Sequence, residues 1–368
     1  MPTDRGDANE KASDANSMDP NKKTTSADDH KNDVVQPLPT GMPPWHSMTF
    51  LATMLSVTIP FLPSSEELDD LSTVETWTHR VYPGLVSLKG LALIRLGTAF
   101  VALGLTFYLA CINEGWDVHP NYKPHTKLRR DVCVRLQGIG TLCPFTSWCW
   151  TMFGVGFLTR GLVALAACLV EEGGDVLGFA PDEAQRALLE KHVLQNRALL
   201  RTTMVLWEMS APLAMLVSCV VKYSIWPQVV KGGKPHNLAG IRNQLQHNCN
   251  SIFSLLEVTV LGGIPVVFSH LSMATFMGVV YILFTWTMAT AYFGDSHDKG
   301  PQYIYWFMDP TLGNASTAAL AVLAFVMTFF YALFAVLTGA FLDATNPGIV
   351  ANTLVLLLGS LAVCRFRD

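Results

Sequence analysis

Charge is what this chain has least of. Only 15% of its 368 residues are Asp, Glu, Lys or Arg, while 50% are hydrophobic; an average soluble domain is about a quarter charged. The 25 basic and 29 acidic residues are also unevenly spread, with 13 of them inside positions 1–44. Such a sparse body excludes an ordinary soluble enzyme. A formal net charge of −4 supplies no basic footprint for phosphate contacts, so no nucleic-acid partner is expected. The recognisable motifs of metal, nucleotide and serine-hydrolase chemistry are missing as well: no C-x-x-C, H-E-x-x-H or H-x-x-x-H, no G-x-S-x-G, no Walker loop, no acyltransferase-like H-x4-D. No metal site and no cofactor are therefore expected. The 8 cysteines are scattered, mostly within apolar runs, and read as small core hydrophobes. The first 44 residues carry no apolar segment behind a basic start, so no signal peptide is expected.

Long apolar runs are what the chain does have. Residues 1–44 mix Asp, Lys, Ser, Asn and Thr, too polar to offset the entropy of ordering, and are predicted to be a disordered cytosolic tail. Residues 45–368 are predicted to form one polytopic transmembrane domain with a core at about 88–342. Strong runs lie at about 88–113, 146–170, 199–222, 250–270, 273–293 and 315–342, with shorter ones at 48–63 and 349–364. At about 1.5 Å per residue each strong run reaches across a hydrocarbon core of about 30 Å. The runs lack the alternation of a barrel strand, so the predicted fold is an all-α integral membrane protein, a helical bundle with a six-helix core and up to eight spans. Lys123, Lys127, Arg129, Arg130 and Arg135 crowd the 114–145 loop, three more basic residues follow at 223–249, and Arg365 and Arg367 close the chain. This bias predicts a cytosolic N-terminus in an endomembrane or plasma membrane. On that topology the Asn314-Ala-Ser316 sequon faces the cytosol and stays unmodified.

Ionisable groups at membrane depth are costly, and a functional search starts with them. Lys89 lies near a helix end and is expected to snorkel. Arg95, Glu208 and Glu257 lie deeper. An Arg95–carboxylate pair is sterically feasible, either as a charge-neutralising clamp or as part of a site that orients a catalytic group or carries protons. Gln244, Gln246, His247, Asn248, Asn250, Ser251, Ser254 and Glu257 form the densest polar cluster. On a helix His247, Asn250, Ser251 and Ser254 share one face, which either glues helices together or lines a cavity.

Upstream, Cys143-Pro-Phe-Thr146-Ser147-Trp148 places two adjacent hydroxyls at a helix start, where they serve as N-caps or as chemistry. The third and fifth runs are parallel, so Thr146 and His247 fall at similar depth in one leaflet. A hydroxyl nucleophile needs a neighbouring base, and histidine is the usual one. Asp295-Ser-His-Asp298 has the letters of a triad, but sequence neighbours do not converge as a relay must, and it reads as a polar turn. The aromatic segment Pro301-Gln-Tyr-Ile-Tyr-Trp-Phe-Met-Asp-Pro310 reads either as an interfacial belt or as the roof of a lipid-binding cavity.

The block His247-Asn-Cys-Asn-Ser-Ile-Phe-Ser-Leu-Leu-Glu257 resembles the androgen-induced family of multi-pass membrane hydrolases, which cleave fatty acid esters of hydroxy fatty acids. Val280–Trp286, Tyr303–Trp306 and Phe145-Thr146 resemble further parts of that family. The resemblance covers roughly residues 90–342 and implies Thr146 as nucleophile and His247 as general base, acting on a membrane lipid or fatty acid ester. Asn248 and Asn250 are the nearest candidate oxyanion donors, with Glu257 as a supporting group. Ser147 beside Thr146 leaves the choice of nucleophile open between the two. Two other classes compete: a transporter or channel-like protein using Arg95, Glu208 and Glu257 as a buried relay, and a non-catalytic membrane scaffold.

Overall fold

Apolar runs of this length leave the backbone no water to bond to, so helix is the only local solution. The computed structural model, which describes residues 45–128, 130, 132–171, 176–231, 240–291, 301–342 and 348–366, has that architecture. The expected tail at 1–44, the Asp295–Asp298 turn and Arg367 lie outside the described residues. Among the described residues, five helical stretches are long and apolar enough to cross a membrane: Leu88–Ile112, Phe145–Val170, Arg197–Lys231, Phe268–Ala289 and Asn314–Gly339. The fold is thus all-α and polytopic. The 48–63 run becomes the helix Trp45–Thr58, which passes through the turn Ile59–Phe61 and bends by 64° into Ser65–Leu71. The last run forms Ile349–Val363, 15 residues long.

One expected span needs correcting. The run at 250–270 is not one helix: Ile241–Gln244, a π turn Leu245–Cys249 and Asn250–Thr259 make a continuous helical segment that stops at Thr259. Gly262-Gly263-Ile264-Pro265 breaks it, because Gly263 adopts a positive φ of 60° and proline offers no N–H to a continuing ladder. Hydropathy counts these residues as apolar and is blind to the break.

Contacts between helix ends fix how the segments alternate. The Ser47 hydroxyl meets that of Thr317 at 2.7 Å, so the Trp45 and Asn314 helices start at one end of the bundle. At the other end the Ser272 hydroxyl donates to Phe61 O at 2.6 Å and Val81 N to Leu261 O at 2.8 Å. Asn352 donates to Thr259 O at 2.8 Å, which starts the Ile349 helix at that same far end. The 114–145 loop carries a small antiparallel hairpin, Trp116–Val118 with Val134–Leu136. Gly115 enters it at φ 87°, where a Cβ would stand 2.3 Å from Leu136 O, so only glycine fits. Val132, Val134 and Leu136 pack with Ile304 and bring the hairpin against the aromatic segment.

Candidate functional site

Thr146 sits in the first turn of the Phe145–Glu171 helix and lines a cavity of about 880 Å³. With that helix start, the rest of the wall comes from five other places in the sequence. It takes Phe50 and Met54 from the Trp45 helix, Leu216 and Val220 from the Arg197 helix, Gly278 and Ile282 from the Leu271–Ala291 helix, Leu323 and Met327 from Asn314–Leu342, and Tyr305, Phe307 and Met308 from the aromatic segment. No charged side chain lines it among the described residues. The aromatic segment is therefore part of a cavity wall, and Trp306 at the same time stacks beneath Lys123, 4.5 Å from its ring centroid.

Of the two adjacent hydroxyls only one faces the cavity. Ser147 is buried and donates to Thr141 O at 2.9 Å, a local tie that fixes the start of the helix. Thr146 instead faces the cavity, whose wall it shares with Tyr305. Burial pushes the Tyr305 phenol up to about 12, with the Thr146 hydroxyl opposing the shift, so Tyr305 is a neutral donor at physiological pH. Tyr281 frames the other side: its hydroxyl donates to Cys143 O at 3.0 Å, and its ring lies edge-on to Phe145 at 4.8 Å.

His247 lies on the π turn Leu245–Cys249, which packs against the Phe145 helix, but His247 is not among the residues lining the cavity. Its Nδ1 is buried with no hydrogen-bond partner among the described residues. Burial, reinforced by Arg242 and Arg365, pulls the imidazole down to about 3, so it is neutral at pH 7 and its lone pair is available. The polar stripe beside it is largely packing. Ser251 and Ser218 share a hydrogen bond of 2.6 Å, Ser251 also donates to Ala214 O at 2.8 Å, and Asn250 Oδ1 accepts from Ser251 N at 2.8 Å. Asn250 Nδ2 and Ser254 Oγ have no partner among the described residues. Asn248 is committed elsewhere: its amide donates to Arg365 O at 2.7 Å and accepts from Arg365 N at 3.0 Å, clasping the C-terminal segment.

The deep charges lie apart from Thr146, in two separate pairs. Arg95 and Glu257 are both wholly buried and form an ion pair; Arg95 Nε reaches Glu257 Oε1 at 3.2 Å and Nη1 donates to Trp77 O. A Cβ at Gly262 would stand 2.2 Å from Arg95 Nη2 and 2.3 Å from Glu257 Oε1, so the pair closes against a glycine. Glu208 does not join them. Its Oε2 meets His270 Nδ1 at 2.6 Å and its Oε1 accepts from Val267 N at 2.8 Å. Lys89 stands in the first turn of Leu88–Phe107, partly buried, near the helix end where snorkelling was expected.

Sequence reasoning missed two of these residues. His270 stands in what read as the tail of a continuous span, and only the break at 262–265 turns it toward Glu208. Arg160 is wholly buried in the middle of the Phe145 helix. A single charge in an otherwise apolar run is the signal that would have found it. Comparison with protein-family models, with curated proteins and with solved structures finds no match.

Proposed function

We propose that this protein is a membrane-embedded hydrolase of lipid esters, with Thr146 as nucleophile and His247 as general base. The observation that carries the proposal is the setting of Thr146. Thr146 and Tyr305 contribute polar groups to the wall of an otherwise apolar cavity, the kind of setting ligand sites take. An acyl chain would lie along the aliphatic wall with its ester carbonyl at Thr146. Thr146 Oγ then attacks the carbonyl carbon, His247 takes the hydroxyl proton and returns it to the departing alkoxide, and water hydrolyses the acyl-threonine. The Tyr305 hydroxyl, on the same cavity wall, would donate to the developing oxyanion. The family resemblance supports the same two residues, as does the packing of the turn that carries His247 against the helix that carries Thr146.

Labelling of the purified protein by a fluorophosphonate probe, together with ester turnover, tests this reading. Both are expected in the wild type and absent in Thr146→Ala and His247→Ala. Undiminished labelling in Thr146→Ala would overturn the hydrolase; undiminished turnover in His247→Ala would remove that residue from the mechanism. Ala324→Trp, which narrows the apolar part of the cavity, is expected to reduce turnover of long-chain esters more than of short ones.

A second reading draws on the burial of Arg95, Glu208 and Glu257: a transporter in which these groups carry protons. A pH-dependent flux in proteoliposomes, lost in Glu257→Gln and intact in Thr146→Ala, would replace the first reading with this one.

A further inference from the structure

Charge is divided unevenly between the two ends of the bundle. The end at which the Trp45 and Asn314 helices start also gathers the loop after Ile112, the last turns of Arg197–Lys231, the π turn Leu245–Cys249, the aromatic segment and the close of the Ile349–Val363 helix. These parts are tied to one another there: Asn121 donates to Gln228 Oε1 at 2.9 Å, Lys222 Nζ to Leu361 O at 2.6 Å and Asn248 to Arg365 O at 2.7 Å. Among the described residues this end carries eight basic side chains, four in the loop after Ile112, three between Lys222 and Arg242, and Arg365, against three acidic ones, Glu114, Asp117 and Asp309. The opposite end reverses the balance, with eight acidic and six basic side chains described within 62–90 and 176–201.

The few acids at the basic end are mostly committed. Asp117 pairs with Arg135 at 3.0 Å, and Asp309 is wholly buried and accepts from the Thr126 hydroxyl and, at 2.8 Å, from Thr311 N. Three of the cations lie over indole rings instead. Arg242 stands 4.0 Å from the Trp116 centroid, Arg365 3.7 Å from that of Trp226 and Lys123 4.5 Å from that of Trp306. An indole face attracts a cation but does not neutralise it. Tryptophan settles at the level of lipid headgroups, and these three come from the loop, the end of the Arg197 stretch and the aromatic segment. They therefore mark one headgroup plane, with cations at it. Lys127 and Arg130, beside Lys123 in the loop, are exposed.

We infer that this end is a docking face for anionic phospholipid headgroups, with Lys123, Lys127, Arg130 and Arg242 as its principal contacts and the three indoles setting its depth. Basic side chains next to an anionic leaflet add their attractions, whereas a neutral leaflet leaves the excess of positive charge without a counterpart. The acidic end has no such partner to gain, so the two ends distinguish the two leaflets. The face would serve the protein whether or not Thr146 is a nucleophile.

Thermal unfolding of the purified full chain in neutral-detergent micelles, doped with phosphatidylglycerol or with phosphatidylcholine of the same acyl chains, tests the face. Phosphatidylglycerol is expected to raise the unfolding temperature by about 2–4 °C over phosphatidylcholine in a saturable manner, since a ligand that binds only the folded state stabilises it by mass action. The difference should shrink by more than half between about 0.05 and about 0.5 M salt, because exposed charges are screened. Lys123→Gln/Lys127→Gln/Arg242→Gln should lose most of it, and Arg186→Gln/Lys191→Gln at the acidic end should keep it. Equal stability in the two lipids, an effect indifferent to salt, or a full effect in the triple variant would overturn the inference, as would an equal loss in the acidic-end variant. If the triple variant does not fold, Lys127→Gln/Arg130→Gln decides: both side chains are exposed, and an unchanged effect overturns the face. Inorganic phosphate reproducing the whole effect would overturn it in favour of an isolated anion site.

Discussion

At one end of the bundle, Thr146 and Tyr305 face an apolar cavity whose described lining holds no charge. Deeper in, Arg95 faces Glu257 and Glu208 faces His270, each side chain bonded directly to its partner. The contrast separates two uses of polarity in an apolar setting. Where groups are saturated by one another, as Glu257 is by Arg95, little bonding capacity is left for a ligand, and removal of one member exposes the whole desolvation cost of the other. A hydroxyl that faces open volume contributes little to stability and remains available for chemistry. The deep charges that first draw attention in the sequence thus fit a structural role better than Thr146 does, while Thr146, which reads as an ordinary helix start, has the surroundings of a reactive group.

The comparison breaks most visibly at Glu257. Glu257→Ala leaves Arg95 buried and uncompensated, with an expected loss of about 3–5 kcal/mol, seen as a large fall in the unfolding temperature or as failure to recover folded protein. The double variant Arg95→Met/Glu257→Leu should regain most of that loss; if it does not, the pair is more than a clamp. Glu208→Ala comes next, because it orphans His270 Nδ1 and Val267 N, at about 1–3 kcal/mol for each group left without a partner.

A smaller effect is expected at His247 and depends on pH. Its folded value of about 3 lies below the ordinary 6.5, so the unfolded chain binds the extra proton between those limits. The neutral, buried imidazole therefore contributes stability above pH 6.5 that is lost as pH falls toward 3. His247→Gln should flatten the acid side of the unfolding-temperature profile relative to wild type, and an identical profile would mean that the imidazole is not held neutral by burial. The smallest change in stability is expected for Thr146→Val, within about 1 kcal/mol, although fluorophosphonate labelling should disappear. A large loss of stability there would move Thr146 into the structural class and erase the contrast.

The helical, polytopic fold was legible because apolar runs of bilayer length admit few other solutions. That Arg95 would meet a buried carboxylate was legible too, but not which: Glu208 and Glu257 were equal candidates, and the partner is Glu257 while Glu208 goes to His270. What escaped depends on chain direction changing inside a run. Gly262 to Pro265 look as apolar as their neighbours, yet they end the helix, release His270 from the span and direct it to Glu208. Arg160 was overlooked because a lone charge among Phe157, Leu158 and Leu162 shows no partner in sequence; Trp207, which stacks on it, comes 47 residues later. The choice between Thr146 and Ser147 likewise needed coordinates, because a one-residue step on a helix turns a side chain from the cavity to the preceding loop.

The broken segment after Thr259 also constrains how the protein is made. Its backbone groups are served by distant parts of the chain: Leu261 O by Val81 N, Gly262 O by the His79 ring, Pro265 O by Trp207, Val266 N by Thr338 and Val267 N by Glu208. Irregular backbone is tolerated at membrane depth only where protein surrounds it. While the chain is being inserted, residues 260–267 therefore cannot settle in lipid on their own. They must wait at the channel or the interface until the Asn314 helix, synthesised some 50 residues later, brings Thr338 into place. Biogenesis of this protein would then be gated late, by the last of its five long apolar helices.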